Sequence, residues 1–213
     1  MLTFEKQFWS SHPALRLAGI DEAGRGPLAG PVVAGCVCMS QELAQSLYLG
    51  ALANLTDSKK LTAPEREAFY AILTTTPGIE AAVGISEAVE IDQINILRAT
   101  HLAMARAVTA LSEGIPAHAL VDGLPVRGLP CPSTAIVKGD AKSFLVAAGS
   151  IMAKVTRDRI MLNLDAQYPQ YGFAKHKGYP TPEHFDALHT FGACPVHRRS
   201  FAPVADLDQP LLF

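Results

Sequence analysis

The sequence predicts an α/β fold, a mixed β-sheet with helices packed against it. Three observations carry this. Five short segments of strand character are interleaved with longer stretches of helical periodicity. The first two strands are joined by EAGRGPLAG, a Gly- and Pro-rich turn, which makes them an antiparallel hairpin. The 213 residues are 49% hydrophobic and 18% charged, enough to bury a large core and too apolar for a disordered or coiled-coil chain.

The elements follow in order. LRLAGID at 15–21 reads as a short apolar strand ending in acid, and PVVAGCVCM at 31–39 as a second strand with β-branched content. Residues 40–50 look helical, and DSKKLT at 57–62 reads as a polar loop. Thr62 and Glu65 form a capping-box pattern with Pro64 in the first turn, so a helix runs from Thr62 to about Thr74. IEAAVGIS at 79–86 is a third strand. A long helix over 88–112 is predicted from Ile91, Ile94, Leu97, His101/Leu102, Ala105 and Val108, spaced three or four apart. HALVDG at 118–123 and STAIVKGD at 133–140 are the fourth and fifth strands. Residues 142–166 read as a long helix, followed by aromatic and basic loops, a short helix at 181–190 and an irregular tail. The expected organisation is one domain over 1–213, with a helical extension from about 165 and a flexible tail over 203–213.

No apolar run reaches the ~18 residues a membrane span needs. The N-terminal MLTFEKQFWSSHP carries charge and has no signal-peptide core, so the chain is expected in the cytoplasm. Cys36, Cys38, Cys131 and Cys194 match no zinc or redox spacing and read as thiols in a reducing compartment. Cys36 and Cys38, two apart in a strand, should share a face. The net charge of −2 hides an asymmetry, −4 over 1–120 against +4 over 121–200. A basic second half suits a polyanion, or is ordinary solvated charge.

Carboxylates close three of the strands: Asp21 with Glu22, then Asp122, then Asp140. A single such Asp only starts a turn. If all four converge, their mutual repulsion calls for a cation. Oxygen ligands without Cys or His select Mg²⁺ or Mn²⁺, and acid clusters holding two such ions cleave phosphodiesters.

Gly24-Arg25-Gly26 follows the acid pair. The run to Ala29 formally matches a relaxed dinucleotide fingerprint, but a strand and not a helix comes next. Glycines there let a nucleic-acid backbone approach, and Arg25 can pair with phosphate; the alternative is a hairpin turn that simply needs glycine. Ser58, Lys59 and Lys60 read as a second phosphate clamp. Lys138 and Lys142 flank Asp140, to hold phosphate or to balance its charge.

Together these segments resemble the type 2 ribonuclease H family, in its bacterial ribonuclease HII branch. The resemblance rests on GIDEAGRGPLAGPVVA at 19–34, DSKKLT at 57–62, VDG at 121–123, KGDAKS with VAAGSIMAKVTRDRIM within 138–161, HKGYPTPEH at 176–184 and HRRSF at 197–201. It covers about residues 15–201. The few residues before the first motif favour ribonuclease HII over ribonuclease HIII, which carries an added N-terminal binding domain. One departure is Gly149, where the family pattern has alanine; Gly inside a helix costs about 1 kcal/mol relative to Ala.

The resemblance implies a ribonuclease H-like fold, a five-stranded mixed sheet flanked by helices with a C-terminal helical extension. It implies cleavage of RNA in RNA–DNA hybrids and incision 5′ of single ribonucleotides in duplex DNA. Asp21, Glu22, Asp122 and Asp140 map to catalytic, metal-binding acids serving two Mn²⁺ or Mg²⁺ ions. Gly24, Arg25 and Gly26 map to the loop that senses the ribose at the junction, and Tyr179 to the tyrosine that recognises the same nucleotide. Arg25, Lys59 and Lys142, with Ser58, would position phosphates. Only a ribose offers a 2′-OH, which a Tyr hydroxyl and loop amides can read.

His176, His184, His189, His197 and Cys194 cluster late in the chain, where satisfied or exposed histidines are a plainer reading than zinc. Gln209-Pro210-Leu211-Leu212-Phe213 resembles the short peptides that dock on the bacterial sliding clamp; the alternative is a tail folded onto its own core or frayed. The protein is expected to be monomeric and free of membranes. Two other readings stay open at this point: a nuclease of the same fold without ribose preference, such as a junction resolvase, and a non-catalytic hybrid-binding or clamp-recruited module.

Overall fold

The computed structural model describes residues 1–206. Strands β1 (Leu17–Ala23) and β2 (Val32–Met39) form the expected antiparallel hairpin, with Asp21 opposite Gly35. Strand β3 (Glu80–Ser86) adds antiparallel to β2. Strands β4 (His118–Asp122) and β5 (Ser133–Ile136) continue parallel on the other side of β1. The order across the five-stranded sheet is β3-β2-β1-β4-β5.

Both faces of the sheet are covered, which is why its central strands are nearly continuous apolar runs. Alternate residues feed two cores. Leu17, Val37 and Met39 join Trp9 and Phe144 on one face. That face carries α1 (Thr3–Ser11), α2 (Gln41–Leu49), α3 (Ala63–Thr75) and the long α5 (Phe144–Gln167). Ala18, Ile20, Cys36 and Cys38 pack on the other face against α4 (Ala88–Thr109). Cys36 and Cys38 thus share a face, and all four cysteines are free thiols.

Helix α5 lies unusually close to the sheet, because β1 and β2 present Gly19 and Gly35 to it. A Cβ at Gly19 would stand 2.0 Å from the Leu145 carbonyl carbon, and one at Gly35 2.2 Å from Gly149 O. Gly149 meets this contact from the helix side, where a Cβ would sit 3.0 Å from both Gly19 O and Gly35 O and 3.2 Å from Asp21 N. The departure from alanine there sits directly behind the first acid.

Several elements differ from the sequence reading, each for a local reason. Helix α1 was not expected, because its buried face mixes Trp9 with a charged residue, Glu5. The Glu5 carboxylate accepts from Ser143 Oγ at 2.6 Å and Leu145 N–H at 3.0 Å, so it serves orphan donors at the start of α5. In α4 the expected stripe holds at Ile91, Ile94 and Val108, which pack into the core on that face, and breaks at Leu97, which is 51% exposed. Asn95 leaves the helical conformation, at φ 68° and ψ 162°, and resets the phase. Its side chain re-caps the second half by accepting from Arg98 N–H at 3.1 Å. The buried residues beyond it are Ala99, Thr100, Ala103, Met104, Ala107 and Val108. Small residues are needed there, since a Cβ at Gly84 of β3 would stand 2.0 Å from Ala103 O.

Strand β5 stops at Ile136, short of the predicted 140. Lys138 takes a left-handed conformation at φ 58°, and Gly139–Ala141 form a single 3₁₀ turn. Asp140 therefore sits on a turn and not on a strand end. DSKKLT is likewise more ordered than a loop: Ser58–Lys60 make a 3₁₀ turn capped by the Asp57 carboxylate, which accepts from Lys59 N–H at 2.9 Å. The Thr62–Glu65 capping box forms as read.

After α5 the chain builds a third core, in which Tyr171, Phe173, Leu188, Cys194 and Val204 pack with Leu28, Ala29 and Met161. It includes α6 (Phe173–His176), α7 (Pro182–Phe191) and α8 (Ala202–Ala205). The short α8, with Val204 fully buried, stands where the irregular tail was expected to begin. No helix among the described residues is long and apolar enough to cross a membrane.

Candidate active site

The parallel register of β1 with β4 ends at Ile20 opposite Val121. The next residue on each strand is an acid, Asp21 and Asp122. Glu22 follows Asp21 in the hairpin, opposite Ala34. Asp122 Oδ1 accepts from Gly139 N–H at 2.5 Å, so the turn that carries Asp140 is tied to the end of β4. Asp21 Oδ1 accepts from Glu22 N–H at 2.7 Å.

Asp21 is buried, and its carboxyl is pushed well above the ordinary carboxylate range by desolvation first, then by the charges of Glu22, Asp122 and Asp140. Glu22 is raised by desolvation too, against the pull of Arg25, whose Nη1 donates to Glu22 Oε1 at 3.2 Å. Asp140 is raised by desolvation and then by Asp122 and Asp57, with Lys59 opposing. The four acids thus act on one another across three segments of the chain.

A cleft of about 330 Å³ opens over Asp21 and Glu22. Gly24, Arg25, Gly26, Ser58, Lys59 and Tyr179 all line it, so most of the predicted substrate residues share one wall. Asp122 lines a second cleft of about 960 Å³, which shares Glu22 and Arg25 with the first and runs along α4 past Arg98, His101 and Arg127. Asp140 and Lys142 line neither. The Lys142 ammonium donates to Val137 O at 2.7 Å, within its own loop.

Two residues without an expected role hold the turn between β1 and β2, Arg198 at Gly24 and Arg25 and Arg157 at Ala29 and Pro31. Arg157 and Arg198 are 1% and 0% exposed. Arg157 donates to Pro31 O at 3.0 Å, Ala29 O at 3.1 Å and Lys177 O at 3.1 Å. Arg198 donates to Gly30 O at 3.0 Å, Arg25 O at 2.9 Å and Gly24 O at 2.5 Å. Desolvation draws Arg157 down to about 10 and, with Arg157 beside it, Arg198 to about 9, so both stay charged at neutral pH. Gly24 sits at φ +97°, and a Cβ there would stand 2.0 Å from Arg157 Nε. Both arginines lie in the matched motifs, but nothing in a sequence says that a guanidinium will be buried against carbonyls. Lys154, which also lines the first cleft and pairs with Asp158 at 2.7 Å, was missed for the same reason.

The donor set suits a hard divalent cation. All four candidate ligands are carboxylates, and Asp21 is desolvated and crowded by three others, a strain that a cation relieves. As placed, no three His, Cys, Asp or Glu side chains among the described residues stand close enough to grip one ion.

Comparison with known proteins settles the lineage. The ribonuclease HII family model matches residues 18–204. The chain belongs to the ribonuclease HII family. Ribonuclease HII of Geobacillus kaustophilus is 49% identical over 207 residues, 97% of this chain and 75% of the relative. That of Magnetococcus marinus is 52% identical over 193 residues, covering 90% and 86%. Among solved structures, the ribonuclease H2 of Pyrococcus horikoshii superposes with a TM-score of 0.74 at 29% identity, covering 91% of this chain and 97% of that one. Ribonuclease HII of Archaeoglobus fulgidus, solved with PCNA, superposes at 0.70 with 26% identity, covering 88% and 95%. The fold is that of ribonuclease H, and the chain is a type 2 ribonuclease H endoribonuclease. The non-catalytic alternative finds no support in these relatives.

Proposed function

We propose that this ribonuclease HII cleaves the RNA strand of RNA–DNA hybrids and incises 5′ of single ribonucleotides in duplex DNA, leaving 3′-hydroxyl and 5′-phosphate ends. The observation that carries the reading is the electrostatic convergence of Glu22, Asp122 and Asp140 on the buried Asp21, beside a cleft lined by Gly24–Gly26, Lys59 and Tyr179. The family is divalent-metal dependent. In our reading Asp21, Glu22, Asp122 and Asp140 hold two Mg²⁺ or Mn²⁺ ions. When bound, the ions lower the pKa of the attacking water and stabilise the leaving oxygen.

The chain's own residues do the positioning. Arg25 and Lys59 bring positive charge to the phosphates flanking the cut, and Ser58 sits at the start of the turn that presents Lys59. Lys142, beside the turn that carries Asp140, gives one ammonium donor to Val137 O and keeps two for a phosphate. Gly24–Gly26, with carbonyls fixed by Arg198, form a bed on which the sugar–phosphate backbone rests. The Tyr179 ring faces Gly26, where a Cβ would lie 3.7 Å from Cε1. Its hydroxyl reads the 2′-OH, the one group that distinguishes ribose from deoxyribose.

The reading takes residues 1–213 as one unit with a helical extension from about 165, acting as a cytoplasmic monomer. Docking of Gln209–Phe213 on a sliding clamp belongs to it as well. Those residues lie outside the described part, and the support is the complex of the Archaeoglobus fulgidus relative with PCNA. Deleting 209–213 is expected to remove clamp binding and leave cleavage of bare duplex intact. The central test is a DNA duplex carrying one ribonucleotide, incubated with Mg²⁺ or Mn²⁺ beside an all-DNA duplex and Asp122→Asn. Cutting 5′ of the ribonucleotide by the wild type alone supports the reading. No cutting by folded protein with either metal overturns it.

A further inference from the structure

Three histidines of the C-terminal part are tied to one another and to the backbone. All six ring nitrogens of His176, His184 and His197 already have partners. Gly178 N–H can only donate, so His176 Nδ1 accepts from it at 3.2 Å. His176 Nε2–H then donates to Tyr171 O at 2.7 Å. Cys194 N–H donates to His197 Nδ1 at 3.0 Å, with Cys194 Sγ 3.1 Å from the same nitrogen. His197 Nε2–H therefore donates to His184 Nε2 at 3.0 Å, and His184 Nδ1–H to Tyr179 O at 3.0 Å. Only one assignment of protons satisfies every contact, and in it all three rings are neutral.

The relay ends on Tyr179. Two left-handed residues precede it, Lys177 at φ 51° and Gly178 at φ 81°, and turn the chain sharply there. Tyr179 N–H donates to His176 O at 2.9 Å, and Tyr179 O accepts from Thr181 N–H at 2.9 Å as well as from His184. The rings of His176 and His184 stack with centroids 4.5 Å apart. Gly178 O accepts from Leu28 N–H at 2.8 Å, which joins the turn to the Gly24–Gly26 loop. The tyrosine ring itself is 43% exposed and has no hydrogen bond to fix it. Its aim is set by its backbone.

We infer that His184, with His197 behind it, is a positioning residue for Tyr179, a neutral imidazole relay that aims the tyrosine into the cleft. This rests on the proposed role of Tyr179 in reading the ribose. Side-chain isosteres separate the relay from simple packing. In His184→Asn the amide N–H replaces Nδ1–H and still reaches Tyr179 O. In His184→Gln the amide sits at the Nε2 position and the tyrosine carbonyl loses one of its two donors, keeping only Thr181 N–H.

The test is a double-mutant cycle on kcat/KM for the duplex with one ribonucleotide, using Tyr179→Ala, His184→Gln and the pair, with His184→Asn as the conservative variant. His184→Gln is expected to lower kcat/KM about tenfold in the wild-type background and to cost less than about twofold when Tyr179 is already Ala. His184→Asn is expected to stay within about threefold of wild type. Equal losses in both backgrounds, or equal losses in Asn and Gln, overturn the inference. If His184→Gln does not fold by thermal melting, the cycle is run with His184→Leu, which fills the space of the ring and removes the donor to Tyr179 O. If Tyr179→Ala cleaves as well as wild type, the sensing role itself falls. If Tyr179→Ala is impaired but the cycle is additive, only the relay falls.

Discussion

Asp21 and Asp122 occupy the first positions beyond the last matched pair of the parallel β1–β4 ladder, Ile20 opposite Val121. Two neighbouring strands thus run out together in carboxylates. The hydrogen-bond ladder that fixes the strands also fixes the acids, so the apolar sequence LAGI and HALV sets the spacing of the charges that follow. The cost falls on Asp21, which is buried and raised by desolvation and by its three acidic neighbours.

Neutralising Asp21 should therefore separate stability from activity. Asp21→Asn keeps the oxygen that accepts from Glu22 N–H and removes the desolvated charge. Measured in chelator at neutral pH, the variant is expected to be more stable than wild type by about 1 kcal/mol. Its cleavage with Mg²⁺ or Mn²⁺ is expected to fall by roughly 10³-fold or more. A variant that melts below wild type in chelator would show that the acids are not in mutual strain.

The close approach of α5 makes a second contrast. Gly35→Ala puts a methyl 2.2 Å from Gly149 O and 2.7 Å from Ala153 N, backbone atoms that cannot turn aside. The helix must lift from the strand that pairs with Asp21. Gly149→Ala meets backbone at 3.0 Å and gains helix propensity worth about 1 kcal/mol, so a shift of a few tenths of an ångström accommodates it. Urea unfolding should rank Gly35→Ala at least about 3 kcal/mol below Gly149→Ala, with activity following the same order.

The contrast between strands and site shows what the sequence made legible. The apolar character of LRLAGID and PVVAGCVCM is a property of each segment alone, and those strands formed close to their expected bounds. Asp21, Glu22 and Asp122 were readable because strand ends are local. Asp140 was placed on a strand, since nothing in STAIVKGD signals that Lys138 turns left-handed and ends it at Ile136. The stripe through Leu97 failed because Asn95 breaks the helix phase, a tertiary choice that periodicity cannot see. Glu5, Arg157 and Arg198 look like solvated charges in sequence. Only the fold shows that each is buried to satisfy backbone groups far away along the chain.

Arg198 gives a third expectation. Its planar guanidinium spans three carbonyls, Gly24, Arg25 and Gly30, from one buried point. An ammonium keeps the charge but cannot reach all three. Arg198→Lys is expected to fold and to lose activity, because the loop carbonyls are no longer fixed together. Arg198→Met leaves those carbonyls buried without donors and is expected to lose about 3–5 kcal/mol. Melting curves and cleavage of the single-ribonucleotide duplex measure the two effects separately. Full activity in Arg198→Lys would mean the loop is shaped without the fork.

The imidazole relay also makes stability depend on pH with a definite sign. Desolvation first, then the charge of His184, depresses His197 from the ordinary 6.5 to about 4 in the folded chain, and His184 is lowered as well. The unfolded chain takes up protons below about pH 6.5 that the folded chain refuses until about pH 4, so it binds more protons throughout that window. Stability is accordingly untouched above pH 7 and is lost as pH falls from 6.5 towards 4, by up to roughly 3 kcal/mol for His197. The other titratable and charged groups around the ring are His176, Tyr171, Cys194 and Arg199. The raised carboxyls of Asp21, Glu22, Asp140 and Glu5 act in the opposite direction, because the folded chain holds their protons more tightly. Comparison with His197→Asn removes them, since they are common to both proteins. Urea unfolding in chelator at pH 7.5, 5.5 and 4.5 should show wild type losing stability relative to His197→Asn at each step down. Parallel profiles would mean that His197 already carries its proton in the folded chain, and that the relay is not neutral.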